Sequence, residues 1–220
     1  MSLEVIEAQT GENPVATVLI LHGLGADGRD FLPIAEQFDL TAVGPIRFIF
    51  PNAPVMSVTI NGGYQIPAWY DILGADLTQR QDEAGMRHSQ LAIDALIERE
   101  KSRGMASNRI VLAGFSQGCA MALMTGLRHR DRLAGIIAMS GYLPLADKTA
   151  AERSAANQYV PIFMAHGSRD PVVILPRATA SRDHLESLGY AVDWHEYQME
   201  HSVCQEEIAD MENWLQHVLA

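Results

Sequence analysis

Short apolar runs alternate along this chain with longer stretches in which apolar residues recur every three or four positions. Ala16-Thr17-Val18-Leu19-Ile20-Leu21, Ile46-Arg47-Phe48-Ile49-Phe50, Ile110-Val111-Leu112-Ala113, Ala134 to Ser140 and Val160 to Gly167 read as buried strands. Ala191 to Gln198 alternates instead, Val192/Trp194/Glu196 against Asp193/His195/Tyr197, as a half-exposed edge strand would. Helical spacing appears after Asp30, read as the cap for Phe31, Leu32, Ile34, Ala35 and Phe38. It recurs over Ser89 to Arg103, closed by Gly104, and after Ser116 with Met121, Leu123, Met124 and Leu127 inward. Two more helices are expected. Arg177 to Leu188 stops at Gly189, and a final helix opens with Ser202-Val203-Cys204-Gln205 as a capping box and acidic Glu206 and Glu207 in its first turn. Asn52 to about Gly85 follows neither pattern, yet its Tyr64, Ile66, Trp69, Tyr70, Ile72 and Leu73 argue against disorder.

Strands alternating with helices predict an α/β fold: a mostly parallel central sheet with helices on both faces. With no repeat and no linker-like segment, residues 1–220 read as a single domain without a cap domain. Hydrophobic residues make up 48% and charged residues 20%, enough for a full core. The net charge of −11 excludes nucleic acid as a partner and stable attachment to an anionic membrane. Two cysteines, Cys119 and Cys204, make no disulfide framework and fit a reducing, cytoplasmic setting. The stretch Met1 to Thr17 lacks the pattern of a secretory signal, and no run reaches the roughly 18 apolar residues of a membrane span. No H-E-x-x-H or C-x-x-C occurs, so neither a metal nor another cofactor is expected.

The chemistry is concentrated where the central strand ends. Gly114-Phe115-Ser116-Gln117-Gly118 is a G-x-S-x-G pattern with a strand before it and a helix after it. Glycine two positions either side of the serine allows a turn too tight for a Cβ, and the hydroxyl is lifted above the sheet at a helix N-terminus. Two further loops at the carboxyl ends of strands carry Asp170 and His201, giving the order Ser, Asp, His that such folds use for acyl transfer. A neutral imidazole, with an ordinary pKa near ~6.5, can take the serine proton, and a carboxylate fixes its tautomer. Of the other histidines, His184 lies within a helix and His195 within a strand. His22 and His166 each close a strand before a glycine and read as loop-orienting. Asp147, Asp183 and Asp193 compete with Asp170, which alone follows a strand directly and is held by a proline. The N–H groups of Leu24, in the Gly23-Leu24-Gly25 turn, and of Gln117 are the candidate oxyanion donors. Gly23 to Gly28 also matches G-x-G-x-x-G. A dinucleotide site would want an acid at the end of the second strand, where Phe50-Pro51-Asn52 stands, and Asp27 and Asp30 would repel a pyrophosphate.

With these residues in place, the chain resembles the carboxylesterase/acyl-protein thioesterase family of α/β-hydrolases. Leu21-His22-Gly23-Leu24-Gly25, Pro51-Asn52-Ala53-Pro54, Ala68-Trp69-Tyr70-Asp71, Gly114 to Gly118, His166-Gly167 with Asp170-Pro171-Val172-Val173, and His201 carry the likeness over nearly the whole chain. Met199-Glu200 departs from it, since relatives often have a glycine before the histidine. The resemblance implies an α/β-hydrolase fold, a Ser116–His201–Asp170 triad, and an oxyanion hole from Leu24 and Gln117. It also implies an acyl groove around Trp69, with Ile66, Leu73, Val172 and Val173. The expected activity is a serine carboxylesterase on short to medium acyl esters, or acyl thioesters. Lysophospholipase and protein S-deacylase activities use the same machinery, and a non-catalytic binding domain uses the same scaffold. The substrate partner is then a small acyl ester or thioester, or an acylated protein. Monomer and homodimer both fit.

Overall fold

The computed structural model describes residues 3–74 and 80–220. Its strands are β1 (Val5–Gln9), β2 (Ala16–Leu21), β3 (Ile46–Pro51), β4 (Val55–Val58), β5 (Tyr64–Pro67), β6 (Ile110–Phe115), β7 (Gly135–Met139), β8 (Ile162–Gly167) and β9 (Val192–Tyr197). The helices are α1 (Leu32–Ala35), α2 (Glu83–Ser102), α3 (Gln117–Arg128), α4 (Ala146–Glu152), α5 (Leu175–Ser187) and α6 (Gln205–Val218). Seven strands form one sheet in the order β1-β3-β2-β6-β7-β8-β9. Only the edge pair β1–β3 is antiparallel; each neighbouring pair from β3 to β9 is parallel. All positions of β2, β3, β7 and β8 are buried, which is why these strands read as continuous apolar runs. Alternate side chains serve two cores. Leu19, Leu21, Leu112 and Met164 face α2 and α3, and Val18, Ile20, Val111 and Phe163 face α6. The one charge inside β3, Arg47, is paired with the fully buried Glu100 of α2 at 2.6 Å, and Thr17 of β2 donates to the same carboxylate at 3.2 Å.

Several sequence expectations are corrected. β1 escaped the pattern because a strand at the sheet edge buries its side chains only partly. The stretch 52–85 is not irregular throughout: β4 and β5 pair as an antiparallel hairpin there, and Glu83 to Ser102 is already α2, capped by the Asp82 carboxylate on Gly85 N–H. Positions 75–79 of that stretch lie outside the described residues. The first helical segment is capped by Asp27, not Asp30; it is a 3₁₀ turn, Gly28–Phe31, followed by the four-residue α1. Ser202 forms no capping box, because α6 begins one residue after Cys204. The connector after β7 contains α4.

That late start places Glu207 in the third position of α6, facing inward. It is fully buried. Burial pushes this carboxyl up from 4.5 to about 8. Between those values the unfolded chain has released the proton while the folded protein still holds it. Stability therefore falls as pH rises through that window, by at most roughly 1.4 kcal/mol per pH unit. Glu207→Gln should raise stability at pH 8 and leave it nearly unchanged at pH 4.5, measured by urea denaturation at both; a constant difference would contradict this.

Candidate active site

The turn after β6 holds Ser116 at φ 56° and ψ −116°, a conformation costly for any residue with a Cβ. What keeps it there is close backbone packing. A Cβ on Gly114 would come within 2.1 Å of Gly118 O, and one on Gly118 within 2.1 Å of Leu21 O. Ser116 N–H donates to Met139 O at 2.9 Å, tying the turn to the end of β7.

The structure brings Ser116, His201 and Asp170 together. His201 Nδ1 lies 2.6 Å from Asp170 Oδ2, and Nε2 lies 2.9 Å from Ser116 Oγ. A carboxylate can only accept from Nδ1, so Nε2 is left with its lone pair toward the serine hydroxyl, which donates. The Asp170 side chain is fully buried, and its other oxygen accepts the N–H groups of Val172 and Val173 at 2.8 and 2.9 Å. Phe115 packs on the imidazole with ring centroids 4.8 Å apart.

It is His201, and none of the competing histidines, that meets Ser116 Oγ. His195 pairs with the exposed Asp193 at 3.0 Å on β9, Asp183 pairs with Arg182, and His184 and Asp147 belong to α5 and α4. His166 Nε2 donates to Val173 O at 2.6 Å and sits 3.5 Å from Asp170 Oδ2. Burial lowers its pKa. A neutral ring there leaves the Asp170 charge to His201. His22 is similarly lowered by burial; its Nδ1 donates to Gly23 O at 2.7 Å and its Nε2 accepts Ala53 N–H at 3.0 Å, which fixes the Gly23–Gly25 turn.

A cavity of about 450 Å³ opens on Ser116, bordered by Leu24, Gln117, Val172 and Val173. Gln117 is the first residue of α3, a position whose N–H has no partner within the helix. Trp69, Ile66 and Leu73 are corrected: none of them lines this cavity. Trp69 is 1% exposed and acts as a bolt, its Nε1 donating to His22 O at 2.9 Å. Ile66 packs near Gly25, and Leu73 borders an adjoining crevice. The walls are instead completed by Ile60, Tyr70, Ile72, Tyr142, Ile174 and Arg177, with the Tyr70 and Tyr142 hydroxyls 2.9 Å apart. Of these, Tyr70 and Ile72 stood among the apolar loop residues noted from sequence; Ile60 lies in the same stretch, and nothing local to Tyr142, Ile174 or Arg177 pointed to the site.

The Gln117 side chain does more than its backbone was expected to. Its Oε1 accepts Trp69 N–H at 2.8 Å and its Nε2 donates to Tyr70 O at 2.7 Å, clamping that loop to the start of α3. The G-x-G-x-x-G stretch is likewise taken up by packing: Gly28 N donates to Asn52 Oδ1 at 2.9 Å, and a Cβ there would meet Phe50 O at 2.7 Å. Away from the site, Glu98, His129 and Asp131 hold donor atoms within 4.8 Å of one another, but Lys101 bonds both carboxylates and already compensates their charge.

Residues 2–219 match the Phospholipase/Carboxylesterase family. The chain is 40% identical to acyl-protein thioesterase 1 of Yarrowia lipolytica, covering 91% of each chain. It is 42% identical to acyl-protein thioesterase 1 of Neurospora crassa over 91% of this chain and 85% of that one. The crystal structure of Zea mays acyl-protein thioesterase 2 superposes with a TM-score of 0.85 at 26% identity, covering 99% of both chains. The fold is therefore that of the α/β-hydrolases.

Gln117→Leu would leave Trp69 N–H and Tyr70 C=O buried without partners. A stability loss on the order of 2–4 kcal/mol is expected in chemical denaturation; no loss would mean that the clamp is idle.

Proposed function

We propose a Ser116–His201–Asp170 mechanism for this chain, which belongs to the phospholipase/carboxylesterase family: hydrolysis of carboxylic esters and thioesters through an acyl-enzyme on Ser116. The observation that carries it is the continuous hydrogen-bond line from Asp170 through His201 to the serine hydroxyl, 2.6 and 2.9 Å in its two spans. His201 Nε2 takes the hydroxyl proton as Oγ attacks the carbonyl carbon. Asp170 is buried and already accepts two backbone N–H groups, so it holds its charge in place and stabilises the imidazolium without reorganising. The N–H groups of Leu24 and Gln117 meet the developing oxyanion. Collapse expels the alcohol or thiol, which leaves with the proton from Nε2. Water then attacks the acyl-enzyme by the same route, with His201 as base.

The groove bordered by Leu24, Val172 and Val173 takes the acyl chain. Its walls are apolar at Ile60, Ile72 and Ile174, while the Tyr70–Tyr142 hydroxyl pair adds a polar patch. That combination suits short to medium chains. The relatives named acyl-protein thioesterase favour a second reading within the same chemistry, with an acylated protein as the thioester substrate. Among the described residues no helix is long and apolar enough to cross a membrane. The family match from 2 to 219 supports a single hydrolase domain.

Ser116→Ala and His201→Ala should each lower kcat by about 10⁴ to 10⁶ with little change in stability. A fluorophosphonate probe should label the folded protein at Ser116 and not the Ser116→Ala variant; failure to label would favour a binding domain. Across p-nitrophenyl esters, kcat/KM should peak at short to medium chains. A steady rise into long, emulsified esters would contradict the groove assignment.

A further inference from the structure

Ser116 stands between two cavities, and only one has been given a task. The second, of about 470 Å³, opens on the other side of the serine, where Phe31, Ile34, Phe115 and Val203 form apolar walls and His201 borders it directly. Leu24, Ser116 and Val172 belong to both cavities, whereas Gln117 lines only the first and His201 only the second.

The position of His201 decides which half of a substrate goes where. When the tetrahedral intermediate collapses, the bond from the carbonyl carbon to the leaving sulfur or oxygen breaks with its electron pair. That atom takes the proton that Nε2 removed from Ser116. It must therefore lie within reach of Nε2, on the His201 side, which leaves the acyl chain to the Gln117 side. Resting on the esterase reading above, we propose that the second cavity is the leaving-group site and that it selects alcohols or thiols carrying a positive charge, with Asp30 as the counter-charge.

Among the described residues Asp30 is the one carboxylate in this lining, which contains no lysine or arginine. Its side chain is exposed and has no ion-pair partner among the described residues; the neighbouring Asp27 is met by Arg29 at 3.6 Å. Two aromatic rings share the lining with it, Phe31 and Phe115, with centroids 6.0 Å apart. An acid with apolar and aromatic walls is an environment that attracts an organic cation. The overall charge of −11 acts in the same direction. A quaternary ammonium on a small thiol and a lysine beside an acylated cysteine present the same chemistry.

The test compares two substrate pairs with one acyl chain. The first is butyrylthiocholine against its uncharged carbon isostere, the 3,3-dimethylbutyl thioester. The second is an S-butyryl cysteine tripeptide with lysine against one with norleucine next to the cysteine. The ratio of kcat/KM, charged over neutral, should be roughly fivefold at low ionic strength and shrink with added salt. Asp30→Asn should bring that ratio close to one. Glu12→Gln, an exposed carboxylate on the β1–β2 loop at the opposite end of the sheet, should leave it unchanged. A preference confined to one pair supports the site and identifies the source of the cation. A ratio that Asp30→Asn does not alter, or that Glu12→Gln alters equally, overturns the proposal. Loss of turnover on all four substrates together with no fluorophosphonate labelling would instead overturn the esterase reading beneath it.

Discussion

The contact on which the site depends is backbone against backbone: Gly118 of α3 lies so close to the end of β2 that a Cβ would sit 2.1 Å from Leu21 O. Nothing but hydrogen fits there, and the same holds for Gly114 against Gly118 O. These two approaches let α3 begin immediately after β6, with one residue between them held at a positive φ. The strain at Ser116 is maintained because the strands on either side cannot move. Leu21 O belongs to β2, and Met139 O, which receives the Ser116 N–H, closes β7. The candidate nucleophile is thus positioned by the central strands of the sheet rather than by its own loop.

The same rigidity sorts the histidines by environment. His22 and His166 are buried at the ends of β2 and β8, and desolvation keeps both rings neutral. Each then has one N–H to donate, and each spends it on a backbone carbonyl: Gly23 O in one case, Val173 O in the other. They shape the Gly23–Gly25 turn and the Asp170–Val173 loop. His201 differs because its partners are side chains, a buried carboxylate on one nitrogen and a hydroxyl on the other. Three imidazoles near one serine therefore carry distinct duties set by what each ring touches.

A second organising seam runs through Ala68-Trp69-Tyr70-Asp71. Ala68 N–H donates to Pro54 O, Trp69 bonds His22 and Gln117, Tyr70 meets Tyr142, and Asp71 accepts both the N–H and the hydroxyl of Thr59. Four consecutive residues tie the β4–β5 hairpin, the turn before α1 and the start of α3 to one another. The hairpin's far end then supplies Ile60 to the groove. The shape of the groove is governed by how these segments meet, while the Asp170–His201–Ser116 hydrogen-bond line is governed by the sheet. The two cavities on either side of Ser116 follow from that division.

Local pattern was enough to read the buried strands, the long helices and the G-x-S-x-G turn, because each depends on residues adjacent in sequence: a run of β-branched side chains, a 3.6-residue stripe, a pair of glycines. Ser116, Asp170 and His201 were also legible, since each follows the carboxyl end of a strand in a fixed order. What the sequence could not specify depends on long-range contact. β1 is held by antiparallel bonding to β3 and leaves little periodic trace. The family resemblance implies Trp69 as a groove residue, yet its indole N–H finds His22 O, 47 positions away, and burial follows. Tyr142 and Arg177 reach the groove only because the loop after β7 and the first turn of α5 open on the same space as the turn after β6. Asp27 rather than Asp30 caps the first helical turn, which frees Asp30 for the second cavity. Sequence determined which groups exist and at which strand ends they stand; which of them face the same space was decided by packing, because side-chain direction is settled by neighbours that are distant along the chain.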